Sequence, residues 1–445
     1  MTQLSKLLAL ASMFAVCVPG IAAAAPWSPA QPIAGTQDPG APLVVFTRAG
    51  HGLAAYSTNR FSPLRTATVR GAQTTTTGEF GPARDLGRLN LSALGTYASN
   101  RLIAFGTTGA RHPRCAVAYG SPDAGFGTPR GVGPPRDGRV IDGAVNDRGD
   151  AAALLVVART PYLVTRRGGH AFGPAVRLDR GPTISGTVAI NTRGDVLVVW
   201  ERPLSGMTGT RGIYARRRTP RGHLAAAQRL GTGVPFLSIS AAIDDGRNAV
   251  VAWLGQRVSE GDVQSAATVK FAAAPAGQPF SAQRMVEVID VPGTGRYVTA
   301  PGVRTAIGAD GRALLAWTGY QDGHFVVRAA PLTDSGLGEQ QIVSDPSADT
   351  VLAALSTGPG GEAVVLARQG IRGNDPTSPS GGVTLSAAAR APGHATFGPV
   401  ETVHASTNYV DVPGLAFDPI HHSAITVWSD FAARTLLGSA RVPLA

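Results

Sequence analysis

A pattern of two apolar runs around a short polar turn recurs along most of this 445-residue chain. The clearest copy is Ala189–Trp200, in which the turn residues Asn-Thr-Arg-Gly-Asp separate the two runs. Asn, Gly and Asp favour tight turns while Val and Ile favour strands, so each copy predicts a β-hairpin. The second run, Val196–Trp200, is apolar throughout, which indicates a strand buried on both faces. Further copies begin at Pro42, Leu102, Ala144, Ala242, Ala306, Gly360 and Phe417.

Two more strands follow each predicted hairpin. The third strand tends to end in arginine, at Arg216, Arg328, Arg390 and Arg441, and a glycine turn then leads to a fourth strand entered through Phe-Gly-Pro. The copies recur at roughly 50–55 residues, a period typical of propeller blades. Four strands per unit, none able to bury both sheet faces alone, predict an all-β fold, a β-propeller of four-stranded blades. We prefer eight blades; seven is the alternative, because the first unit, 36–87, has a poor first strand.

The two ends of the chain predict how the ring closes. The last unit stops after its third strand, at 441–445, and residues 26–35 resemble the missing fourth strand. We therefore expect the N-terminal strand to pair into the last blade, which removes exposed sheet edges. Residues 26–445 would then form a single β-propeller domain.

Residues 1–25 carry the pattern of a signal peptide. Lys6 precedes an apolar run, Leu7–Val18, and Ala22–Ala25 supplies small residues for cleavage. The run is shorter than the roughly 20 residues that a membrane span needs, so we expect no transmembrane anchor. We expect a bacterial protein that is secreted or retained at the cell envelope after the signal peptide is cleaved.

Composition narrows the class of protein. Hydrophobic residues make up 43% of the chain, which is enough for a large core and too much for disorder. Once the signal peptide is removed, Cys115 is the only cysteine, so an intramolecular disulfide is excluded. Cys115 lies in a strand-like run, 114–119, which favours a buried, inert thiol over a nucleophile.

The formal net charge is +11, nearly all of it from arginine. This charge either gives affinity for polyanions or reflects composition and solubility alone, since the arginines are dispersed along the chain. The strand-ending arginines have two matching interpretations: solvent-facing strand ends, or a ring of guanidinium groups suited to carboxylate or phosphate ligands. We expect a monomer whose partner is a protein or an acidic polysaccharide and not a specific nucleic acid.

Insertions interrupt the repeat at four places. Those at Leu204–Arg211, Gln256–Val263 and Gly370–Gly382 lie between the second and third strands of their units, whereas Pro292–Tyr297 lies elsewhere. Loops from equivalent turns emerge on one face of a ring, and a rigid scaffold commonly carries its binding site on such loops. Tolerance of insertion at surface turns explains them equally well.

One turn resembles the Asp-box of the sialidase-like propellers, a family of secreted bacterial proteins. Ser121-Pro122-Asp123-Ala124-Gly125 matches the first five positions of the Ser-x-Asp-x-Gly-x-x-aromatic pattern, and Thr128 stands at the aromatic position. The resemblance implies the propeller fold, with this turn between a third and a fourth strand. Sialidase chemistry would also need an Arg-Ile-Pro motif, which is absent, and a tyrosine–glutamate pair, which the sequence does not place.

No pattern identifies a catalytic, cofactor-binding or metal site, because the sequence lacks His-Glu-x-x-His, Cys-x-x-Cys, phosphate-loop and Gly-x-Ser-x-Gly motifs. His170, His223 and His394 follow glycines at equivalent turns of different units, which keeps them too far apart to share a metal. His421-His422 is a turn pair whose nearest acidic residue in sequence is Asp418. We assign no catalytic, cofactor or metal residue and leave the ligand-binding residues unknown.

Two functions are compatible with these observations. The first is a secreted, non-catalytic scaffold that binds a macromolecule, either a protein or an acidic glycan, which fits the repeats, the basic charge and the missing catalytic motifs. The alternative is a glycoside hydrolase or lyase of sialidase-like architecture, whose acidic pair would come from distant blades. The sequence leans towards the first and does not decide whether the protein is an enzyme.

Overall fold

The part of the chain that the structure describes is built from β-strands, turns and bends. The computed structural model describes residues 26–35, 40–58, 67–98, 100–109, 111–204, 211–233, 238–257, 266–289, 302–308, 311–333, 336–370, 382–407, 410, 413–418, 420–430 and 433–441. These ranges contain no helix, and so none that is long and apolar enough to cross a membrane. Their strands assemble into eight antiparallel sheets. The predicted signal peptide, 1–25, lies outside the described residues.

Each sheet is one blade, and the strands are numbered along the chain from β1, Gln31–Gly35. Blade 1 contains β2 (Leu43–Phe46), β3 (Gly52–Ser57), β4 (Thr68–Gln73) and β5 (Arg84–Arg88). Blade 2 contains β6 (Asn90–Tyr97), β7 (Arg101–Thr108), β8 (Arg114–Ser121) and a fourth strand in two pieces, β9 (Gly125–Phe126) and β10 (Arg130–Gly131). Blade 3 contains β11 (Gly138–Val145), β12 (Ala151–Val157), β13 (Thr160–Arg166) and β14 (Val176–Arg177). Blade 4 contains β15 (Gly186–Ile190), β16 (Val196–Pro203), β17 (Arg211–Arg218) and β18 (Gln228–Gly233).

The remaining blades repeat this plan. Blade 5 contains β19 (Ile239–Ile243), β20 (Ala249–Arg257), β21 (Ala266–Ala274) and β22 (Arg284–Ile289). Blade 6 contains β23 (Val303–Ile307), β24 (Ala313–Gln321), β25 (His324–Thr333) and the two short pieces β26 (Gly336–Leu337) and β27 (Gln341–Ile342). Blade 7 contains β28 (Thr350–Thr357), β29 (Ala363–Gln369), β30 (Val383–Arg390) and β31 (Val400–Ser406). Blade 8 contains β32 (Gly414–Asp418), β33 (Ser423–Asp430), β34 (Thr435–Arg441) and β1.

The ring closes through the N-terminal strand. The first strands of neighbouring blades contact one another all the way round, including β2 of blade 1 with β32 of blade 8. β1 runs antiparallel to β34, with Gln31 opposite Gly438 and Gly35 opposite Thr435, so it supplies the fourth strand of blade 8. The described residues thus form an eight-bladed β-propeller. The predictions of eight four-stranded blades and of this closure are confirmed, although blades 2 and 6 divide their fourth strands.

The second strands carry the largest share of the apolar core, because each lies between two strands of its own sheet and between two neighbouring blades. In β16 every side chain from Val196 to Trp200 is at most 1% exposed. Burying a large apolar side chain of this kind contributes about 1.5–3 kcal/mol to folding. The continuous apolar run of the repeat is therefore what holds one blade against the next.

In blades 5 and 6, a tryptophan near the end of the second strand donates a hydrogen bond to the preceding blade. The indole N–H of Trp317 in blade 6 donates to Glu287 Oε2 of blade 5 at 2.6 Å. That of Trp253 in blade 5 donates to the carbonyl of Thr232 in blade 4 at 2.9 Å. Four blades have a tryptophan at this position, and each is fully buried, so it packs in the interface between two blades. These residues are Trp200, Trp253, Trp317 and Trp428.

The repeated polar turn also ties neighbouring blades together. The side-chain oxygen of Asn191 accepts a hydrogen bond from the N–H of Asp195 at 2.8 Å, which closes the turn between β15 and β16. The Asn191 amide donates to the carbonyl of Asp244 in the next blade at 2.8 Å. Asn146 in blade 3 likewise donates to the carbonyl of Asn191 at 2.9 Å. One residue type therefore both shapes the hairpin and fixes its position relative to the next.

Replacing Asn191 with alanine should lower the free energy of unfolding by about 2 kcal/mol, because buried acceptors and donors in two blades lose their partner. Urea denaturation of the purified protein measures the change. The exposed Arg193 in the same turn is the control, and Arg193→Ala should change stability by no more than about 0.5 kcal/mol. Equal effects of the two variants would show that the bond between blades contributes nothing.

The antiparallel order of each blade gives the ring two distinct faces. Turns between first and second strands and between third and fourth strands lie on one face, here called the turn face. Connections between second and third strands lie on the opposite face, and the insertions at Leu204–Arg211, Gln256–Val263 and Gly370–Gly382 fall there. The interiors of these insertions, and Pro292–Tyr297, lie outside the described residues.

Candidate functional site

A basic groove crosses the turn face over blades 2, 3 and 4. It consists of two adjoining pockets that share Arg166 and His170. The pocket between blades 3 and 4, here called the arginine pocket, has a volume of about 610 Å³, and the aromatic pocket between blades 2 and 3 has about 600 Å³. Both fall within the range of about 300–1,000 Å³ seen for ligand sites. The arginine pocket is lined by Arg148, Asp150, Arg166, Arg167, His170, Arg193, Arg218 and Arg221, and the aromatic pocket by Tyr97, Arg101, Tyr119, Arg130, Arg166, His170 and Phe172, among others.

Arg166 lies at the junction of the two pockets. It is the last residue of β13, opposite Ala151, and its Nε donates to the carbonyl of His170 at 2.6 Å. The guanidinium lies over the rings of Tyr97 and Tyr119, 5.2 and 4.8 Å from their centroids. Only 8% of the residue is exposed, and its Nη1 has no hydrogen-bond partner among the described residues. Nη1 is enclosed by protein atoms, so an anionic group in either pocket would be stabilised by the positive charge of this largely desolvated guanidinium.

Equivalent turns of two successive blades supply the other arginines. Arg148 and Arg193 occupy the same position in the first turns of blades 3 and 4. Arg166 and Arg218 occupy the same position at the ends of β13 and β17, opposite the first residues of β12 and β16. Because adjacent blades place equivalent turns side by side, arginines that are dispersed along the chain are clustered in the fold.

Asp150 is the acidic residue among those that line the arginine pocket. Burial by itself would raise the pKa of its carboxyl. Hydrogen bonds from the N–H of Gly168 and from Asn146, together with Arg148, outweigh burial and lower that pKa. Asp150 is therefore ionised and lies 3.1 Å from the Arg148 guanidinium. One carboxylate is thus set against six arginines, and the pocket keeps a strong positive charge.

The aromatic pocket offers ring faces beside a cation. Burial raises the pKa of Tyr119, and the nearby positive charge of Arg166 opposes that rise without cancelling it. The phenol is therefore neutral near pH 7 and can both donate and accept a hydrogen bond. Phe172 packs edge-on against Phe105 with the ring centroids 6.0 Å apart, which holds its position in the pocket wall.

The four strand-ending arginines of the repeat do not form a ring. Two of them lie inside their third strands, because β17 and β25 continue beyond Arg216 and Arg328. Arg390 and Arg441 are buried, so the solvent-facing interpretation is wrong for them. All four bond to a local partner, which keeps the guanidinium groups away from a common ligand: Arg216 to the carbonyl of Ala225, Arg328 to Gln321, Arg390 to the carbonyl of Gly361, and Arg441 to Glu401.

The histidines have different environments. His170 lies in the groove, whereas His421 Nδ1 is 2.7 Å from Asp418 Oδ2. His422 Nδ1 contacts Glu362, a buried residue of blade 7, so Asp418 is not the only acidic neighbour of this pair. Across the described ranges, no three His, Cys, Asp or Glu side chains lie close enough together to hold a metal ion.

The hydrogen bonds of the Asp-box-like turn and the burial of Cys115 both indicate structural roles. The turn 121–125 joins β8 to β9, between a third and a fourth strand, where the motif predicts it. Its Ser121 Oγ accepts a hydrogen bond from the N–H of Ala124 at 3.0 Å, and Asp123 accepts one from Gln73 of blade 1 at 3.0 Å. Burial raises the pKa of the Cys115 thiol to about 12, so it stays protonated and unreactive.

Known structures resemble the fold of this chain, but no sequence family matches it. No family model and no curated protein matches the chain. An ulvan lyase of polysaccharide lyase family PL25 is 12% identical, with 93% of this chain and 96% of that chain covered and a TM-score of 0.49. The GH93 α-L-arabinofuranosidase of Fusarium graminearum is 11% identical, with coverage of 94% and 98% and a TM-score of 0.45. The polysaccharide lyase Uly1 is 11% identical, with coverage of 93% and 91% and a TM-score of 0.44. We therefore infer function from the groove and not from these proteins.

Proposed function

We propose that the protein binds an anionic polysaccharide along the groove of the turn face. The observation that carries this proposal is Arg166, whose nearly buried guanidinium lies at the junction of the two pockets and over two aromatic rings. Guanidinium groups bind carboxylate, sulfate and phosphate through paired, charge-assisted hydrogen bonds. Two consecutive pockets suit consecutive units of a polymer. The predicted signal peptide, 1–25, supports a role outside the cytoplasm, either secreted or at the cell envelope.

The aromatic side chains favour a glycan over a protein partner. Tyr97, Tyr119 and Phe172 offer flat apolar faces in a pocket that also holds Arg166. A sugar ring has an apolar face that packs on an aromatic ring while its substituents reach polar groups at the edge. A protein partner would in general need a broader apolar surface, and the groove is concave and strongly basic. An acidic glycan satisfies both features of the groove.

Replacing Arg166 with glutamine should weaken binding of a polyuronate or a sulfated glycan by about tenfold or more, because a desolvated charge contact is lost. Isothermal titration calorimetry in low salt measures the affinity, and repetition in rising salt measures the electrostatic part. The matched control is Arg159→Gln, since Arg159 is an exposed arginine of the same blade on the opposite face. It should leave the affinity unchanged within about twofold.

Because Arg166 is nearly buried, its replacement is checked by thermal unfolding, and a second variant covers the case of misfolding. Arg193→Gln changes an exposed residue of the same groove and should reduce the affinity for a sulfated glycan without altering the fold. Equal affinities of the wild type, the Arg166 variant and the Arg193 variant for every anionic glycan would refute the proposal.

A second candidate is a polysaccharide lyase, favoured by the meeting of Arg166, His170 and Tyr119 in one pocket. β-Elimination needs a cation that neutralises the uronate carboxylate, a base and an acid. Arg166 would bind the carboxylate and His170 would take the proton from C5. The electron pair then forms the C4=C5 double bond as the C4–O bond breaks, and the leaving oxygen takes a proton from the neutral Tyr119 phenol. A hydrolase with two carboxylates is disfavoured, because Asp150 is the acidic residue lining this groove.

Absorbance of the new C4=C5 double bond during incubation with polyuronates separates the two candidates. A lyase should produce unsaturated ends, and Tyr119→Phe should stop this while binding persists within about threefold. Tight binding with no unsaturated product from any polyuronate would exclude the lyase and leave the binding function.

A further inference from the structure

We infer that the polysaccharide is sulfated, with a sulfate group in the arginine pocket and the sugar ring of the neighbouring unit in the aromatic pocket. This inference rests on the proposed function and makes it more specific. The two pockets differ sharply in chemistry although they adjoin. One is lined by six arginines and one carboxylate, and the other by three aromatic rings with three arginines. A uniform polymer of one repeated group would not need such different neighbours.

The arginine pocket presents donors from several directions. Arg148 and Arg193 project from first turns of adjacent blades, while Arg167 and Arg221 come from the turns after their third strands. A carboxylate has two oxygens that accept in one plane, and it pairs well with a single bidentate guanidinium. A sulfate ester has three terminal oxygens arranged around the sulfur atom, so it can accept from donors on different sides. The geometry therefore fits a sulfate ester better than a carboxylate.

The charge balance points the same way. Asp150 compensates Arg148 at 3.1 Å, which leaves most of the remaining guanidinium groups of the arginine pocket without an acidic neighbour in its lining. Solvent and salt screen the repulsion between these groups, and bound anions relieve it further, by more when the ligand brings more charge. A densely charged unit is stabilised there more than a unit with one carboxylate.

The aromatic pocket would hold the next sugar unit of the polysaccharide. The guanidinium of Arg166 lies 5.2 Å from the centroid of Tyr97 and 4.8 Å from that of Tyr119, so a sugar stacked in this pocket stays beside a cation. Because Arg166 belongs to both pockets, it can bind an anionic substituent next to the linkage between two units. The smallest ligand that fills the groove is therefore a disaccharide with a charged unit and a stacked unit.

The test compares heparin with chemically desulfated heparin, which share one backbone and the same carboxylates. Wild-type protein should bind heparin about tenfold or more tightly than the desulfated form at equal ionic strength. The double variant Arg193→Gln/Arg221→Gln changes two exposed residues of the arginine pocket and should lower the heparin affinity by about tenfold. Its affinity for desulfated heparin should change by less than about twofold. Tyr119→Leu, in the aromatic pocket, should weaken both ligands by the same factor.

The outcomes separate this inference from the proposed function. Equal affinity for the two heparins, with both lost in Arg166→Gln, would overturn the sulfate assignment and leave glycan binding intact. No binding of either heparin or of a polyuronate would overturn both. Tighter binding of a single-stranded oligonucleotide of matched charge would assign the groove to nucleic acid instead. A drop in both heparin affinities in the double arginine variant would show that the arginine pocket does not discriminate sulfate.

Discussion

Replacing Trp317 with alanine is expected to lower the free energy of unfolding by about 4 kcal/mol, the largest effect that we predict for a single residue. The indole is fully buried between blades 5 and 6, so truncation leaves a cavity that rigid neighbouring sheets cannot fill. It also deprives the Glu287 carboxylate of a donor at 2.6 Å. The midpoint of guanidinium denaturation, followed by tryptophan fluorescence and circular dichroism, measures the loss.

A comparison of two phenylalanine variants separates the hydrogen bond from the packing. Trp428 occupies the equivalent position in blade 8 and is equally buried, but its indole N–H has no acceptor among the described residues. Its ring lies 5.1 Å from that of His404 instead. Trp317→Phe should therefore cost about 2 kcal/mol more than Trp428→Phe, since only the first loses a charge-assisted bond. Equal losses of unfolding free energy in the two variants would show that the contact with Glu287 does not stabilise the interface between blades 5 and 6.

Replacing Glu201 with glutamine should raise the free energy of unfolding above pH 7 by up to about 3 kcal/mol. Glu201 is 1% exposed in β16, and neither of its carboxylate oxygens has a hydrogen-bond partner among the described residues. Burial raises the pKa of this carboxyl to about 7 from the ordinary 4.5, and Arg211 on the adjacent strand only partly opposes the rise. The folded protein therefore retains a proton that the unfolded chain has already released.

The sign of the pH dependence follows from the same proton. Between pH 4.5 and about 7 the folded state binds more protons at Glu201 than the unfolded state, so wild-type stability falls as the pH rises through this window. Above pH 7 the loss is complete and the buried carboxylate stays charged. The difference between wild type and Glu201→Gln in urea denaturation at pH 5 and pH 8 isolates this group. The exposed Glu79→Gln serves as the control and should show no such difference; a stability gap that is independent of pH would contradict the assignment.

The pH response and the ligand groove lie on opposite faces of blade 4. Glu201 is near the end of β16 that leads to the connection with β17, whereas Arg193 and Arg221 belong to turns of the turn face. Variants at Glu201 should therefore leave glycan affinity unchanged at a pH where both proteins are folded. This independence allows stability and binding to be measured separately in one protein.

How well the sequence predicted each feature depends on how local the physical cause is. The hairpin Ala189–Trp200 was recognisable because its turn residues and its apolar run act within a dozen positions of the chain. The closure by Gln31–Gly35 was predictable because the last repeat lacks a fourth strand and the N-terminal segment resembles one. The role of Asn191 in bonding the next blade was not, since its partner Asp244 lies in another repeat and accepts through its backbone.

The groove shows the same limit for function. A signal was present in the sequence, because Arg166 and Arg218 each end the third strand of successive repeats just before a glycine turn. It could be interpreted only with the register, in which Arg166 lies opposite Ala151 and Arg218 opposite Val196. The arginines that the repeat made conspicuous, such as Arg441, instead bond within the fold.

The sequence by itself determined the all-β class, the repeat and a ring of four-stranded blades, with eight preferred over seven, because strand and turn preferences and apolar runs act over short distances and recur in every unit. The tertiary structure decided which charges meet. Side-by-side packing of blades 3 and 4 brings Arg148 and Arg193 into one pocket, and packing over Tyr97 and Tyr119 desolvates the Arg166 guanidinium at the junction of the two pockets. Charge density and burial depend on neighbours in space, so they arise only when the ring is assembled.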